Sequence, residues 1–336
     1  HARTTEGRQE VVAISLYALC NAVKHLGPGF LRQHLQKRPG LFAELCDLLQ
    51  NLQTIGHEAG VAALRATGAI LDSRYGQNRT EMSQLSQMLG LSVPHGIVAC
   101  ALRALLSEEP SDLDNHYKVL LAALDLFQIT TASNHQTTVQ LGHAGMILAM
   151  LELMQKTDVK SLPAVVAMLR CLELAAEVSG TTALVLFREF RGLPAFSTRL
   201  QQEVDLLMAL DFNGDVYDME PPPEDVTDEE RTRYWALLEE VSARRRLCRQ
   251  LLKNIQVALQ CSEVVQAGLA NVFQGPLMDV LKKALQEPHK VGLCLFGTAI
   301  DIVSNLIQDD PSRVPQMIES GVLPGIVEAL NKDTMR

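Results

Sequence analysis

Aromatic residues are scarce in this chain. They make up 4% of its 336 residues, and Trp235 is the single tryptophan. Yet 47% of the residues are hydrophobic, chiefly Leu, Ala, Val and Ile, a set that suits helix-on-helix packing. Basic charge is also in deficit. A formal net charge of −9 and a pI near 5.5 argue against general affinity for nucleic acid, which needs clustered Lys and Arg, while leaving room for a local basic stripe. No apolar run reaches the roughly 18 to 20 residues of a membrane span. The chain opens on His1-Ala2-Arg3 without a Met or a signal peptide, so it reads as a piece of something larger. Its seven cysteines, Cys20, Cys46, Cys100, Cys171, Cys248, Cys261 and Cys294, include no C-x-x-C pair. Most sit in apolar helical runs, as expected for reduced core thiols of a cytosolic or nuclear protein. In such a compartment the Asn78-Arg79-Thr80 glycosylation sequon is incidental.

Catalytic and metal-binding signatures are missing as well. Asp211-x-Asn213-x-Asp215 opens like a calcium loop, but the required Gly and Glu are replaced by Val216 and Pro222. His57-Glu58 begins like a zinc-protease helix, but position 61 is Val61 rather than His. No G-x-S-x-G, Walker or G-x-G-x-x-G pattern occurs. We therefore assign no catalytic residue, no metal ligand and no cofactor.

What the chain does contain is a recurring unit, seen most clearly in residues 289–333. A long apolar-faced segment (291–307) ends at Gln308-Asp309-Asp310-Pro311. A short segment (313–319) follows, then Ser320-Gly321-Val322-Leu323-Pro324, then an amphipathic run (325–331). Apolar residues at helical spacing predict further helices over 8–25, 30–36, 41–50, 54–73, 81–89, 97–106, 113–131, 137–141, 146–154, 161–178, 182–190 and 195–208. Hinge glycines Gly40, Gly96, Gly145, Gly192, Gly275 and Gly321 lie 56, 49, 47, 83 and 46 residues apart. Armadillo and HEAT units run roughly 40 to 47 residues. Each hinge glycine is expected to turn the chain at positive φ, with any following proline at a helix start. The expected fold is all-α: an armadillo/HEAT-like α-solenoid, a right-handed superhelix of about six units whose apolar faces are buried by stacking.

The 83-residue gap holds an interruption. From Asp211 to Glu230 there are nine acidic residues and no Lys or Arg, and Pro221 to Pro223 forbid helix. This reads as an acidic, disordered insertion. The expected organisation is armadillo-like repeats over 1–209, the insertion over 210–230, and the same array continuing over 231–336. Thr227-Asp228-Glu229-Glu230 resembles a capping box before a helix that runs to about Gln260. That helix carries Arg244, Arg245, Arg246 and Arg249, candidates for contact with an acidic partner. The bland alternative for them is a solvated face paired with the insertion. Asp225 and Glu229 are the matching candidates for a basic partner, against the alternative of charge that merely keeps a long loop soluble.

The segment 186–207, LFREFRGLPAFSTRLQQEVDLL, resembles the N-terminal armadillo-like region of the giant HECT-type E3 ubiquitin-protein ligases, the animal Mule class with yeast and plant relatives. Gly192, Leu193, Phe196, Arg199, Leu200, Glu203, Val204 and Asp205 carry the likeness. An acidic insertion followed by an Arg-led long helix continues it. The resemblance implies a scaffold. In such ligases a C-terminal HECT domain, absent here, holds the catalytic cysteine, and the long helical region before it gathers protein substrates. Partners would then be substrates and other segments of the parent ligase, with ubiquitin and its E2 engaged only through the distant HECT domain. The competing reading is a stand-alone armadillo adaptor or transport receptor. Importin-like grooves, however, use regularly spaced Trp and Asn, and Trp235 stands outside any such array.

Overall fold

The computed structural model describes residues 2–75, 79–93, 95–107, 112–133, 146–212, 227–260 and 275–331, and every regular element among them is helical. The expected short helix at 137–141, and Gly145, lie outside these residues. None of the described helices is long and apolar enough to cross a membrane. The chain divides into two compact units, the first made of residues 1–156 and 170–186, the second of 157–169 and 187–336.

In the first unit a long helix, α1 (Ala2–His25), is followed by two shorter ones, α2 (Pro28–Lys37) and α3 (Leu41–Gln50), and α4 (His57–Leu71) is likewise followed by α5 (Arg79–Met88) and α6 (Ile97–Ser107). Then come α7 (Leu113–Ser133) and α8 (Met146–Leu153). The long helices pack in one row, α1 on α4 and α4 on α7. The medium helices pack in another, α3 on α6 and α6 on α8. The pattern follows from the apolar spacing. Leu41, Phe42, Leu45, Cys46 and Leu49 of α3 are all buried, a one-sided stripe that needs a neighbour. In α4 the demand is greater, because everything from Ala59 to Leu71 is buried except Arg65.

After α9 (Leu162–Val178) and the single-turn α10 (Gly180–Leu184), the second unit contains α11 (Gly192–Ala209), α12 (Asp228–Gln260), α13 (Pro276–Gln286), α14 (Pro288–Val291), α15 (Leu293–Asp309), α16 (Val314–Glu319) and α17 (Val322–Asn331). Here too there are two rows: α12 packs on α15, and α11 on α13 on α17. Pro163, Pro276 and Pro288 all fall in first turns, where a missing N–H costs little.

The hinge glycines serve several purposes, which corrects the expectation of a common positive-φ exit. Among the described hinges only Gly321 has positive φ, 83°. Gly40 and Gly275 cap helices at φ −81° and −107°, and the left-handed turn before α11 falls to Arg191 at φ 52°. Gly96 is needed for space, since a Cβ there would sit 2.1 Å from the Gly90 carbonyl oxygen. We therefore expect Gly321→Ala to destabilise the second unit by about 1–2 kcal/mol. Gly297→Ala, mid-helix in α15 with nothing within 4 Å of its Cβ position, should stabilise it by about 0.5–1 kcal/mol. Denaturant unfolding of the two variants checks both signs.

Candidate functional site

The motif between Gly192 and Asp205 resolves into two faces of α11. Leu193, Phe196, Leu200, Val204 and Leu207 recur at intervals of three and four and are buried, with the Phe196 ring edge-on to Phe187. Beside this apolar face, Arg199 and Glu203 are buried as well, Glu203 completely. Glu203 lies between two guanidinium groups: Arg199 Nη2 is 2.8 Å from one carboxylate oxygen and Arg244 Nη1 donates to the other at 2.7 Å. Arg244 also donates from Nε to Glu240 Oε1 at 2.8 Å. Two positive and two negative groups thus compensate one another between α11 and α12, the helices on either side of the acidic insertion. Burial alone would lower the pKa of Arg244, but its hydrogen bonds to Glu203 and Glu240 outweigh that and hold it above the ordinary arginine value.

This geometry corrects the reading of the arginine cluster as one outward face. Arg244 points inward and its charge is spent on Glu203 and Glu240. Arg245 Nη2 donates to the carbonyls of His289 and Lys290 at 2.7 and 2.9 Å, and the guanidinium stands 5.2 Å from the centre of the Phe212 ring. Lys290 Nζ in turn donates to the Leu210 carbonyl at 2.7 Å. Together these contacts tie the last described residues before the insertion to α12 and α14. On its far side the predicted capping box forms. Thr227 N–H and Oγ1 donate to Glu230 Oε2 at 3.1 and 2.8 Å, and Glu230 N–H donates back to Thr227 Oγ1 at 3.3 Å.

Arg246 and Arg249 do face solvent. They belong to a longer stripe not recognised in the sequence: Trp235, Glu239, Ser242, Arg246, Arg249 and Lys253 follow at intervals of four, three, four, three and four, so they share one face of α12. That spacing was the available signal. Glu229 is exposed in the first turn, about 26 Å along the helix from Arg246, so the acidic and basic candidates do not converge. Asp225 lies outside the described residues.

The buried cysteines among the described residues sit in inert settings. Cys20, Cys46, Cys171 and Cys248 are buried, and burial pushes the thiols of Cys46, Cys171 and Cys248 above their ordinary range, which keeps them protonated and inert. Cys100 and Cys294 are exposed, and the Cys100 thiol donates to the His95 carbonyl. Cys261 is outside the described residues. Among those residues no group of three or more His, Cys, Asp or Glu is placed to hold a metal ion. Of the calcium-like stretch, Asn213 and Asp215 lie outside them.

These features define an all-helical protein of paired helix rows in which buried charge serves packing and the remaining charge lies on helix faces. The chain belongs to the family described as Domain of Unknown Function (DUF913), whose pattern matches residues 168–336, from within α9 through the end of the chain. It is 24% identical over 254 residues, 74% of its length, to the E3 ubiquitin-protein ligase TOM1 of Saccharomyces cerevisiae. It is 24% identical over 328 residues, 95% of its length, to the E3 ubiquitin-protein ligase HUWE1 of Mus musculus. In each case it spans about 7% of the relative. The resemblance carried by Gly192 to Asp205 is thus to the same class of protein, at low identity.

Glu203→Ala leaves two buried guanidiniums without their carboxylate and should cost about 3–5 kcal/mol, whereas Arg246→Ala should stay within about 0.5 kcal/mol of the parent; chemical denaturation compares them. Glu230 has its pKa lowered by the Thr227 side chain and then its backbone N–H. Its folded value therefore lies below its unfolded one, and the cap's contribution, present at neutral pH, is lost as pH falls through that folded value. Amide exchange at residues 228–231 should accelerate, relative to the α12 core and after correction for intrinsic rates, below the ordinary glutamate range. Thr227→Val, which keeps the backbone donor, should reduce that extra pH dependence.

Proposed function

We propose that this chain is a non-catalytic, protein-binding scaffold segment of a large HECT-type E3 ubiquitin ligase, which recruits or positions substrates for ubiquitin transfer by a HECT domain outside the chain. The observation that carries this reading is the span of the likeness. Nearly the whole chain aligns with one E3 ubiquitin-protein ligase and three quarters with another, while it amounts to about 7% of each. The two rows of packed helices inside each unit support an armadillo-like superhelix interrupted by an acidic insertion at 210–230, with shape rather than reactivity as its contribution. Holding a substrate near a distant catalytic cysteine raises effective concentration without local chemistry. Arg246 and Arg249, joined by Lys253 and Trp235, form the recruiting surface on α12, suited to an acidic partner. Glu229 and Asp225 are the corresponding contacts for a basic one. The buried thiols fit a reducing compartment, the cytoplasm or nucleus.

Two measurements test this. A parent ligase lacking this segment should still load ubiquitin on its HECT domain but lose modification of a subset of substrates, and Arg246→Glu with Arg249→Glu should reproduce part of that loss. Incubated with ubiquitin-charged E2, the isolated chain should form no reducible adduct. A thioester on the chain, or unchanged substrate modification without it, overturns the reading.

A further inference from the structure

A groove of about 600 Å³ opens on the first unit, built from α1, α4, α7 and the part of α9 that belongs to that unit. Its volume falls within the range of sites that enclose part of a ligand. The floor is apolar and formed partly by small residues, Gly68, Ala69 and Ala122 beside Leu126, Ile129 and Leu174. A Cβ at Gly68 would come 3.2 Å from Ile129 Cδ1, so the absence of a side chain there lets α4 and α7 pack closely beneath the groove.

The rim is charged, and its charge is not used up internally. Lys24, Arg65 and Asp125 line it, and Arg170 lies close enough to act on Asp125 electrostatically. Among the described residues none of these four side chains makes a hydrogen bond or ion pair, although the Arg65 carbonyl accepts from the Cys20 thiol. Lys24 stands 5.8 Å from the Tyr75 ring centre and acts on Asp72 through space, without a direct ion pair. The neighbouring Asp72 and Arg74 differ in this respect, because they satisfy each other through bidentate contact. The Asp125 side chain is exposed, yet partial desolvation by the groove walls raises its carboxyl above its ordinary pKa, with Arg65 and Arg170 pulling the other way. The groove therefore offers three cations with unused donors around one carboxylate that lacks a donor, above an apolar floor.

We infer that this groove binds a linear peptide segment of a partner in which an aliphatic side chain is flanked by acidic residues. The aliphatic group covers the floor between α4 and α7. The flanking carboxylates meet Lys24, Arg65 and Arg170, and a peptide N–H supplies the donor that Asp125 lacks. A basic peptide would face three cations with one carboxylate in return. A neutral apolar one would desolvate those cations without pairing them. Crossing three helices spaced about 8–10 Å apart takes about six extended residues. The inference rests on the scaffold reading, which it narrows to one surface and one peptide chemistry.

Fluorescence anisotropy with the 336-residue chain tests it. The probe is a labelled peptide of about eight residues with a central Leu flanked by Glu; its counterparts carry Lys in place of Glu, or Ser in place of Leu. The acidic Leu peptide should bind at least tenfold more tightly than either counterpart and weaken as salt rises. Arg65→Glu and Arg170→Glu, both at exposed positions, should each lower its affinity about tenfold or more without moving the thermal midpoint. Ala132→Trp, exposed at the groove's end, should block it sterically. Equal affinity for acidic and basic peptides, parental affinity in all three variants, or displacement of the peptide by single-stranded RNA at comparable concentration overturns the assignment. If no peptide binds while the segment-deleted parent ligase still loses substrates, the groove assignment fails and the scaffold reading stands. If the peptide binds as expected while that deletion has no effect, the reverse holds.

Discussion

Between Ala59 and Leu71 a single residue, Arg65, reaches solvent. A helix of this kind has no stable existence alone, because it exposes apolar surface on almost every side and most helical stability in a folded chain comes from packing. It needs a helix against each flank, and α1 and α7 take those places. The same demand recurs in the second unit, where Ile302, Val303, Leu306 and Ala299 of α15 are buried and α12 and α13 pack against that helix. Rows of helices are the direct consequence. A second consequence concerns chemistry: on a long helix so committed to packing, few positions remain for contact with anything else. Arg65 on α4, Asp125 on α7 and the Trp235-to-Lys253 stripe on α12 are among those positions.

The insertion poses a different problem. Residues 210–227 separate two helices that must pack with a defined register. Closing such a loop costs entropy that grows only slowly with its length, so the insertion is tolerated thermodynamically, but it gives α11 and α12 no guidance on how to meet. The cluster around Glu203 supplies that guidance. A buried ion pair gains little over well-packed apolar residues, yet a shift of α12 by one turn would separate Arg244 from Glu203 and strand both. Arg245 and Lys290 act at the mouth of the insertion by tying α12 and the Leu210 carbonyl to the short helix α14. Charge near the insertion thus serves its anchoring, and of the four arginines Arg246 and Arg249 are the exposed ones.

Much of the secondary structure was legible because one-sided apolar stripes dictate helices whatever surrounds them. The expected helix over 41–50 coincides with Leu41–Gln50, and the Thr227–Glu230 box starts α12 as read. Local chemistry also carried the prolines in first turns. The reading erred where a residue's role depends on what lies across from it. The positive-φ turn before α11 fell to Arg191 rather than Gly192, and Gly96 answers to the Gly90 carbonyl rather than to its own dihedrals. Four arginines within six residues looked like one patch. On a helix they point in different directions, and Glu203, distant in sequence from Arg244, decided which of them is internal.

The sequence by itself determined that the described residues are helical, because helix-forming periodicity, caps and prolines in first turns act over a few residues. Its likeness to the E3 ubiquitin-protein ligases was legible in the segment from Gly192 to Asp205, where Leu193, Phe196, Arg199, Leu200, Glu203 and Val204 are buried. Which charges are buried and which are available was decided only by tertiary structure. Ionisation in the interior depends on desolvation and on the partner across the gap, and no window along the chain contains both Glu203 and Arg244. The groove beside Asp125 is of the same kind, since its walls come from helices far apart in sequence that meet only after the rows have packed.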